Sequence, residues 1–145
     1  MKKEKNATKT GGVKKAFITG ITGQDGSYLT ELLLEKGYEV HGLVRRNSGG
    51  YRNLANIIHL VNDEKVYRQR FFLHAGDITD SSSIFRIVGE VQPDEIYHLA
   101  ANADVMESFL MPEQVMDANA TGTYRLLEAM RRLVPKARLY FAGTS

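Results

Sequence analysis

The chain has no cysteine, no tryptophan and only three prolines in 145 residues. The missing cysteine excludes a disulfide framework, a thiolate metal site and a cysteine nucleophile. No apolar run approaches the ~20 residues that a membrane-spanning helix needs, and the N-terminal stretch has no apolar core of the kind a signal peptide carries. Excess charge is scarce as well. A formal net charge of +2 gives no case for nucleic-acid or membrane partners. Much of the excess sits at Lys2, Lys3, Lys5, Lys9, Lys14 and Lys15, against Glu4 alone. Residues 1–12 therefore read as a disordered basic tail, and residues 13–145 as one domain. Hydrophobic residues at 43% and charged residues at 25% are ordinary for a globular domain. At this length the chain can bury roughly two thirds of its unfolded surface. A soluble, cytoplasmic protein is the expectation.

What is present is concentrated near the start. Ala16-Phe17-Ile18 leads into Gly20, Gly23 and Gly26, and an amphipathic segment from Tyr28 to Lys36 follows at once. Strand, glycine turn and helix in that order point a helix N-terminus at a pyrophosphate, where backbone N–H groups and the helix dipole bind the anion. Glycine supplies the unusual φ angles and lets phosphate approach the backbone. Dinucleotide binding is the function this pattern predicts.

Further along, Gly37 ends the first helix, and Glu39–Val44 reads as strand two. Residues 45–52 read as a polar loop, and 53–61 as a short helix with Leu54, Ile57, Ile58 and Val61 at helical spacing. Strand three is 71–75, and Asp80 or Ser81 caps a helix to about Glu90. Strand four is 95–100, followed by a loop. A long helix from Pro112 carries Val115, Ala118, Leu126, Leu127 and Met130, and strand five is 138–142. Alternation of this kind predicts an α/β, doubly wound parallel sheet of the Rossmann type, strand order 3-2-1-4-5. Ligands then bind at the strands' carboxyl ends, where Gly20, Arg45, Asp77 and Ala100 fall.

The end of strand two indicates the cofactor. NAD sites usually place a carboxylate about 20 residues past the glycines, on the ribose 2′-hydroxyl. Here the residues are Arg45-Arg46-Asn47-Ser48, and two guanidiniums suit the 2′-phosphate of NADP. After strand four, Leu99-Ala100-Ala101-Asn102 would let backbone approach the diphosphate and nicotinamide ribose. His98, inside an apolar strand, reads as a satisfied buried group rather than a catalyst.

The Thr19-Gly20-x-x-Gly23-x-x-Gly26 form resembles the extended short-chain dehydrogenase/reductase superfamily. The longer run Gly20-Ile-Thr22-Gly23-Gln24-Asp25-Gly26-Ser-Tyr-Leu29 is similar to the GDP-mannose 4,6-dehydratases. That resemblance extends over nearly all of residues 14–145. It implies that Thr22, Gln24 and Asp25 join the glycines in holding the cofactor, and that Asp77 and Ile78 contact the adenine. It also implies a helical Asn119 that bridges the strand-four loop, and close helix packing at Gly122. The Arg-Arg-x-Ser segment would contribute to subunit contacts, so a homo-oligomer is expected of the full-length enzyme. The implied activity is that of a lyase: NADP-mediated internal redox takes GDP-mannose to its 4-keto-6-deoxy product.

Two features qualify the resemblance. Typical members read approximately Ala-Gln-Ser-His-Val-x-Val-Ser-Phe where this chain has Ala101-Asn-Ala-Asp-Val-Met-Glu-Ser-Phe109, a departure that the resemblance places on the nicotinamide and substrate side. Asp104 and Glu107 there read as solvated loop charges. At the other end, Gly143-Thr144-Ser145 aligns Thr144 with the catalytic threonine that hydrogen-bonds the hexose 4-hydroxyl. The following glutamate and the Tyr-x-x-x-Lys pair do not occur in residues 1–145, so the chain alone is expected to be inactive. A related nucleotide-sugar epimerase, a 4-ketosugar reductase and a catalytically silent NADP(H)-binding module stay open as alternatives.

Overall fold

The computed structural model describes residues 11–51, 53–102 and 105–143. Strand β1 (Lys15–Thr19) enters helix α1 (Gln24–Glu35) through the glycine turn, and β2 (Glu39–Val44) follows. A hairpin of β3 (Arg46–Asn47) and β4 (Gly50–Tyr51) precedes the short α2 (Ile58–Val61) and β5 (Phe71–Ala75). Then come α3 (Ser81–Val91), β6 (Glu95–His98), α4 (Val105–Leu110), α5 (Pro112–Met116), a π turn (Asp117–Thr121), α6 (Gly122–Leu133) and β7 (Arg138–Phe141).

The main sheet is parallel, in the order β5-β2-β1-β6-β7. With the separate hairpin left out of the count, this is the expected 3-2-1-4-5. Strand β1 lies at its centre and is buried on both faces, which explains why its sequence is apolar without alternation. Ala16 and Ile18 pack with Leu33 and Leu34 of α1, whereas Phe17 packs with Ile84, Ile87 and Val88 of α3 and Leu126 of α6. Burying each of these larger side chains contributes about 1.5–3 kcal/mol. Helix α1 stops in a Schellman arrangement: the N–H groups of Gly37 and Tyr38 donate to the carbonyls of Leu34 and Leu33 at 3.0 Å each. Helix α3 starts where Asp80 accepts from the N–H groups of Ser82 (3.0 Å) and Ser83 (3.2 Å). Among the described residues, no helix is long and apolar enough to cross a membrane.

Several local expectations need correction. Residues 45–52 hold a hairpin, with Arg46 opposite Tyr51 and Asn47 opposite Gly50 across the two-residue turn Ser48-Gly49. The helix expected over 53–61 is confined to 58–61: Asn53 has a left-handed φ of 57°, the Ile57 N–H closes a turn on the Leu54 carbonyl at 2.9 Å, and Ile57, with φ −123° and ψ 6°, is the N-cap. Ile57 is still fully buried, but Ile58 is 43% exposed. Strand β6 ends at His98, two residues before Ala100. The loop after it contains α4, and the long helix from Pro112 is broken by the π turn. Leu127 lies on the outer face of α6, 46% exposed, while Ala118, Leu126 and Met130 are buried as expected. Residues 1–10 of the expected tail lie outside the described residues.

Candidate functional site

Strands β1 and β6 are neighbours whose chain connections leave in opposite directions, toward α1 on one face and toward α4 to α6 on the other. A cleft of about 410 Å³ opens at their carboxyl ends. Its floor is Gly20, Thr22 and Gly23 from the glycine turn, with Leu43, Val44 and Arg45 from β2 and Asn53 beside them. Leu99, Ala100, Ala101 and Asn102 form one wall, and Ile78 and Ala118 the other.

The glycine turn is built so that nothing larger fits. Gly20 has φ 76°, and a Cβ there would lie 2.7 Å from the Leu99 carbonyl carbon. A Cβ on Gly26 would overlap the Gly20 carbonyl oxygen. Strand end, turn and helix start are thus in backbone-to-backbone contact. The N-cap of α1 is Gly23, so its first turn has no side-chain cap, in contrast to α3, which Asp80 closes. An uncapped N-terminus at a cleft leaves N–H groups and the positive dipole end for an anion. Gln24 and Asp25 occupy that first turn, on the helix rather than among the residues lining the cleft.

Arg45 sits between this cleft and a second one of about 650 Å³, which is lined by Arg46, Asp77, Asp80 and Arg86 among others. Arg45 Nε lies 3.2 Å from Asp77 Oδ2, and Asp77 Oδ1 accepts from the Thr79 N–H (2.9 Å) and hydroxyl (2.8 Å). Asp77 therefore does serve the local turn, with its other oxygen on Arg45. The hairpin holds the Arg46 guanidinium 5.5 Å from the centre of the Tyr51 ring. Arg86 reaches the same cleft from α3, its Nη2 donating to the Ala75 carbonyl at 2.9 Å. Ser48 is exposed in the hairpin turn, away from the lining of both clefts, and Asn47 belongs to β3.

The wall at 99–102 is tied down from α4 and the π turn. Asn119 accepts from the Asn102 N–H (2.7 Å) and donates to its carbonyl (2.9 Å), the bridge expected of it. Asn102 Nδ2 also donates to Glu107 at 2.6 Å, so Glu107 is a partner of the cleft wall and not a solvated loop charge. Ile78, 4% exposed, packs where Gly122 has no side chain: a Cβ there would be 2.8 Å from Ile78 Cγ1. Thr144, Ser145, Ala103 and Asp104 lie outside the described residues. Sequence reasoning missed Asn53, Asn56, whose Nδ2 donates to the Thr22 carbonyl at 2.9 Å, and Arg86. Of these, only Arg86 had a local signal: it stands one and a half turns into a helix that begins at the cleft.

These features define a Rossmann-type domain with the glycine turn of the extended short-chain dehydrogenase/reductases. Solved structures of that type superpose on it: the UDP-glucose 4-epimerase of Thermus thermophilus, complexed with NAD, gives a TM-score of 0.65 at 28% identity over 82% of this chain and 34% of its own. WbmH of Bordetella bronchiseptica, in complex with NAD+, gives 0.62 at 31% identity, covering 83% of this chain and 36% of its own. In sequence, the family model for GDP-mannose 4,6 dehydratase matches residues 17–145, and the chain belongs to that family. The GDP-mannose 4,6-dehydratase of Yersinia enterocolitica is 55% identical over 135 residues, 92% of this chain and 36% of that protein. GDP-mannose 4,6 dehydratase 2 of Caenorhabditis elegans is 51% identical over 91% of this chain and 35% of its own. The chain thus spans little more than a third of the length of these curated relatives.

Proposed function

We propose that residues 13–145 are the NADP-binding part of a cytoplasmic nucleotide-sugar lyase that converts GDP-mannose to GDP-4-keto-6-deoxymannose. The observation that carries the cofactor reading is the arrangement around Arg45: an uncapped helix start on one side of it, further guanidiniums on the other, and no carboxylate at the end of β2. In this reading the α1 N-terminus binds the pyrophosphate, with Gly20, Thr22 and Gly23 as its cradle, Gln24 and Asp25 in the first turn of the helix behind it, and Gly26 letting that turn approach the strand end. Arg45 and Arg46 take the 2′-phosphate, Asn47 and Ser48 complete the hairpin that carries Arg46, and Arg86 adds a third cation. Asp77 and Ile78 hold the adenine, and Leu99, Ala100, Ala101 and Asn102 flank the ribose and nicotinamide. When bound, the cofactor would supply a nicotinamide ring that accepts a hydride from the sugar and later returns it. The protein's contribution is to hold that ring at the mouth formed by the ends of β1 and β6.

Thr144 is proposed to orient the sugar 4-hydroxyl, and the full-length protein to be a homo-oligomer without nucleic-acid partners. The dehydratase is favoured over an epimerase because the named dehydratases match at 51–55% identity and the 4-epimerase with NAD at 28%. The test is turnover by the full-length protein containing this segment. GDP-mannose should yield a 4-keto-6-deoxy sugar with no net reduction of NADP. A C4-epimerised sugar as the product would replace this reading with the epimerase. Thr144→Val in that protein should cost ~100- to 1,000-fold in turnover, the worth of one transition-state hydrogen bond, at nearly unchanged cofactor affinity.

A further inference from the structure

Below the cleft wall runs a chain of hydrogen bonds that the cofactor reading does not use. The Ala100 N–H donates to Thr19 Oγ1 at 3.2 Å, and Thr19 Oγ1 lies 2.6 Å from His98 Nδ1. On the far side of the ring, His98 Nε2 lies 2.9 Å from Thr123 Oγ1, whose hydroxyl donates to the Asn119 carbonyl at 2.6 Å. The Asn119 end settles the direction of the bond on its side of the ring. An amide can only donate and a carbonyl can only accept. Thr123, whose one proton goes to the Asn119 carbonyl, can only accept at His98, so Nε2 carries a proton; Thr19 Oγ1 keeps a second acceptor site beside the one the Ala100 amide takes, so its bond to Nδ1 follows the charge of the ring. A neutral ring then carries its one proton on Nε2 and leaves Nδ1 to accept from the Thr19 hydroxyl. Burial keeps the ring neutral: His98 is 1% exposed, and desolvation lowers its pKa below the ordinary value.

The chain starts and ends at residues that matter to the cleft. Thr19 immediately precedes Gly20, Ala100 is part of the wall, and Asn119 clamps Asn102 by both of its side-chain groups. His98 is the one member that spans from the sheet to α6. We infer that His98 is a positioning residue, a single-tautomer spacer that locks the 99–102 wall to the glycine turn and to the π turn and so sets the width of the dinucleotide cleft. This rests on the dinucleotide reading of the cleft for its functional consequence, but not for its geometry.

The experiment compares the wild type with His98→Phe and His98→Asn. Phenylalanine keeps a flat ring against Phe141, on which His98 stacks at 5.3 Å, and removes both nitrogens. Asparagine can put an acceptor near the Nδ1 position. The Phe variant should lose ~10-fold or more of hydrogen-exchange protection at the Ala100 amide and bind NADP ~10-fold more weakly, on the scale of about one net hydrogen bond. The Asn variant should recover the Ala100 protection. Unchanged protection and affinity within about two-fold in a folded Phe variant would overturn the proposal. Should the Phe variant fail to fold, nitrogen-15 NMR of the wild-type ring decides. Nδ1 must show the shift of a bare nitrogen and Nε2 that of a protonated one, and the reverse pattern or a doubly protonated ring at neutral pH overturns it. If the wild type binds neither NADP nor NAD, the cofactor reading fails, while the exchange and NMR results still judge the spacer.

Discussion

Replacing Gly26 by alanine sets two opposed effects against each other. In a helix, alanine is favoured over glycine by up to ~1 kcal/mol, and Gly26 lies in the first turn of α1. Its Cβ, however, would overlap the Gly20 carbonyl oxygen and lie 2.7 Å from Ile21 Cα and 3.0 Å from the Gly20 carbonyl carbon. Every one of those atoms is backbone, in a turn whose own φ is fixed at 76° by Gly20. None can swing aside as a side-chain tip would. Overpacking of this kind costs about 1–3 kcal/mol. The steric effect wins, and the net change should be a destabilisation of ~1–2 kcal/mol with weaker dinucleotide binding. Gly89→Ala is the control. It sits within α3, and its new Cβ would meet only Leu133 Cδ1, at 3.7 Å. There the helix preference acts alone, and stability should rise by ~0.5–1 kcal/mol. Urea unfolding of the two variants measures both signs. A Gly26→Ala protein as stable as the wild type would refute the close-approach argument.

Two further outcomes can be checked on the same chain. Arg86→Gln should weaken NADP binding by ~10-fold or more and NAD binding by less than about two-fold, since only the former has a 2′-phosphate to lose a charge-assisted bond. Titration of both cofactors measures the ratio, and equal losses would remove Arg86 from the site. Stability should also fall as the pH drops from ~6.5 toward 4. Burial, with His41 beside it, lowers the pKa of His74 to about 4, and burial lowers that of His41 too. The unfolded chain therefore binds more protons than the folded one throughout that window. Each such histidine removes at most ~1.4 kcal/mol per pH unit, less for partial solvent access. Urea midpoints between pH 7.5 and 4.5 should decline in the wild type and less steeply in His74→Gln. A flat profile in the wild type would contradict the sign.

The sheet and the glycine turn were legible because their signals are local. Apolar β1, the three glycines, Asp80 ahead of α3 and the alternation of elements each act over a few residues, and together they define the strand order. The Ser48-Gly49 hairpin turn was also written locally but lay inside a stretch whose polarity reads as loop. Other features exist only through distant contacts. Asn53 leaves the helical path where the chain passes over the cleft, and Asn56 is spent on the Thr22 carbonyl. Glu107 looks like a surface charge until Asn102 is brought against it. His98 could be recognised as buried, but its partners Thr19 and Thr123 are 79 and 25 residues away. Periodicity carries no information about which side chains meet across such separations.

Arg45→Glu tests most directly whether the end of β2 receives a 2′-phosphate. The substitution removes a guanidinium, sets a carboxylate in its place and breaks the 3.2 Å pair with Asp77. That pair is half-exposed and worth about 0–1 kcal/mol, a loss both cofactors would share. The missing charge-assisted hydrogen bond, about 1.5–3 kcal/mol, falls on NADP alone, and repulsion from the new carboxylate adds to it. Calorimetric titration should therefore show NADP affinity falling by ~100-fold or more, while NAD affinity holds or improves as the carboxylate finds the ribose 2′-hydroxyl. Equal loss for both cofactors, or a wild-type chain that prefers NAD, would contradict the account.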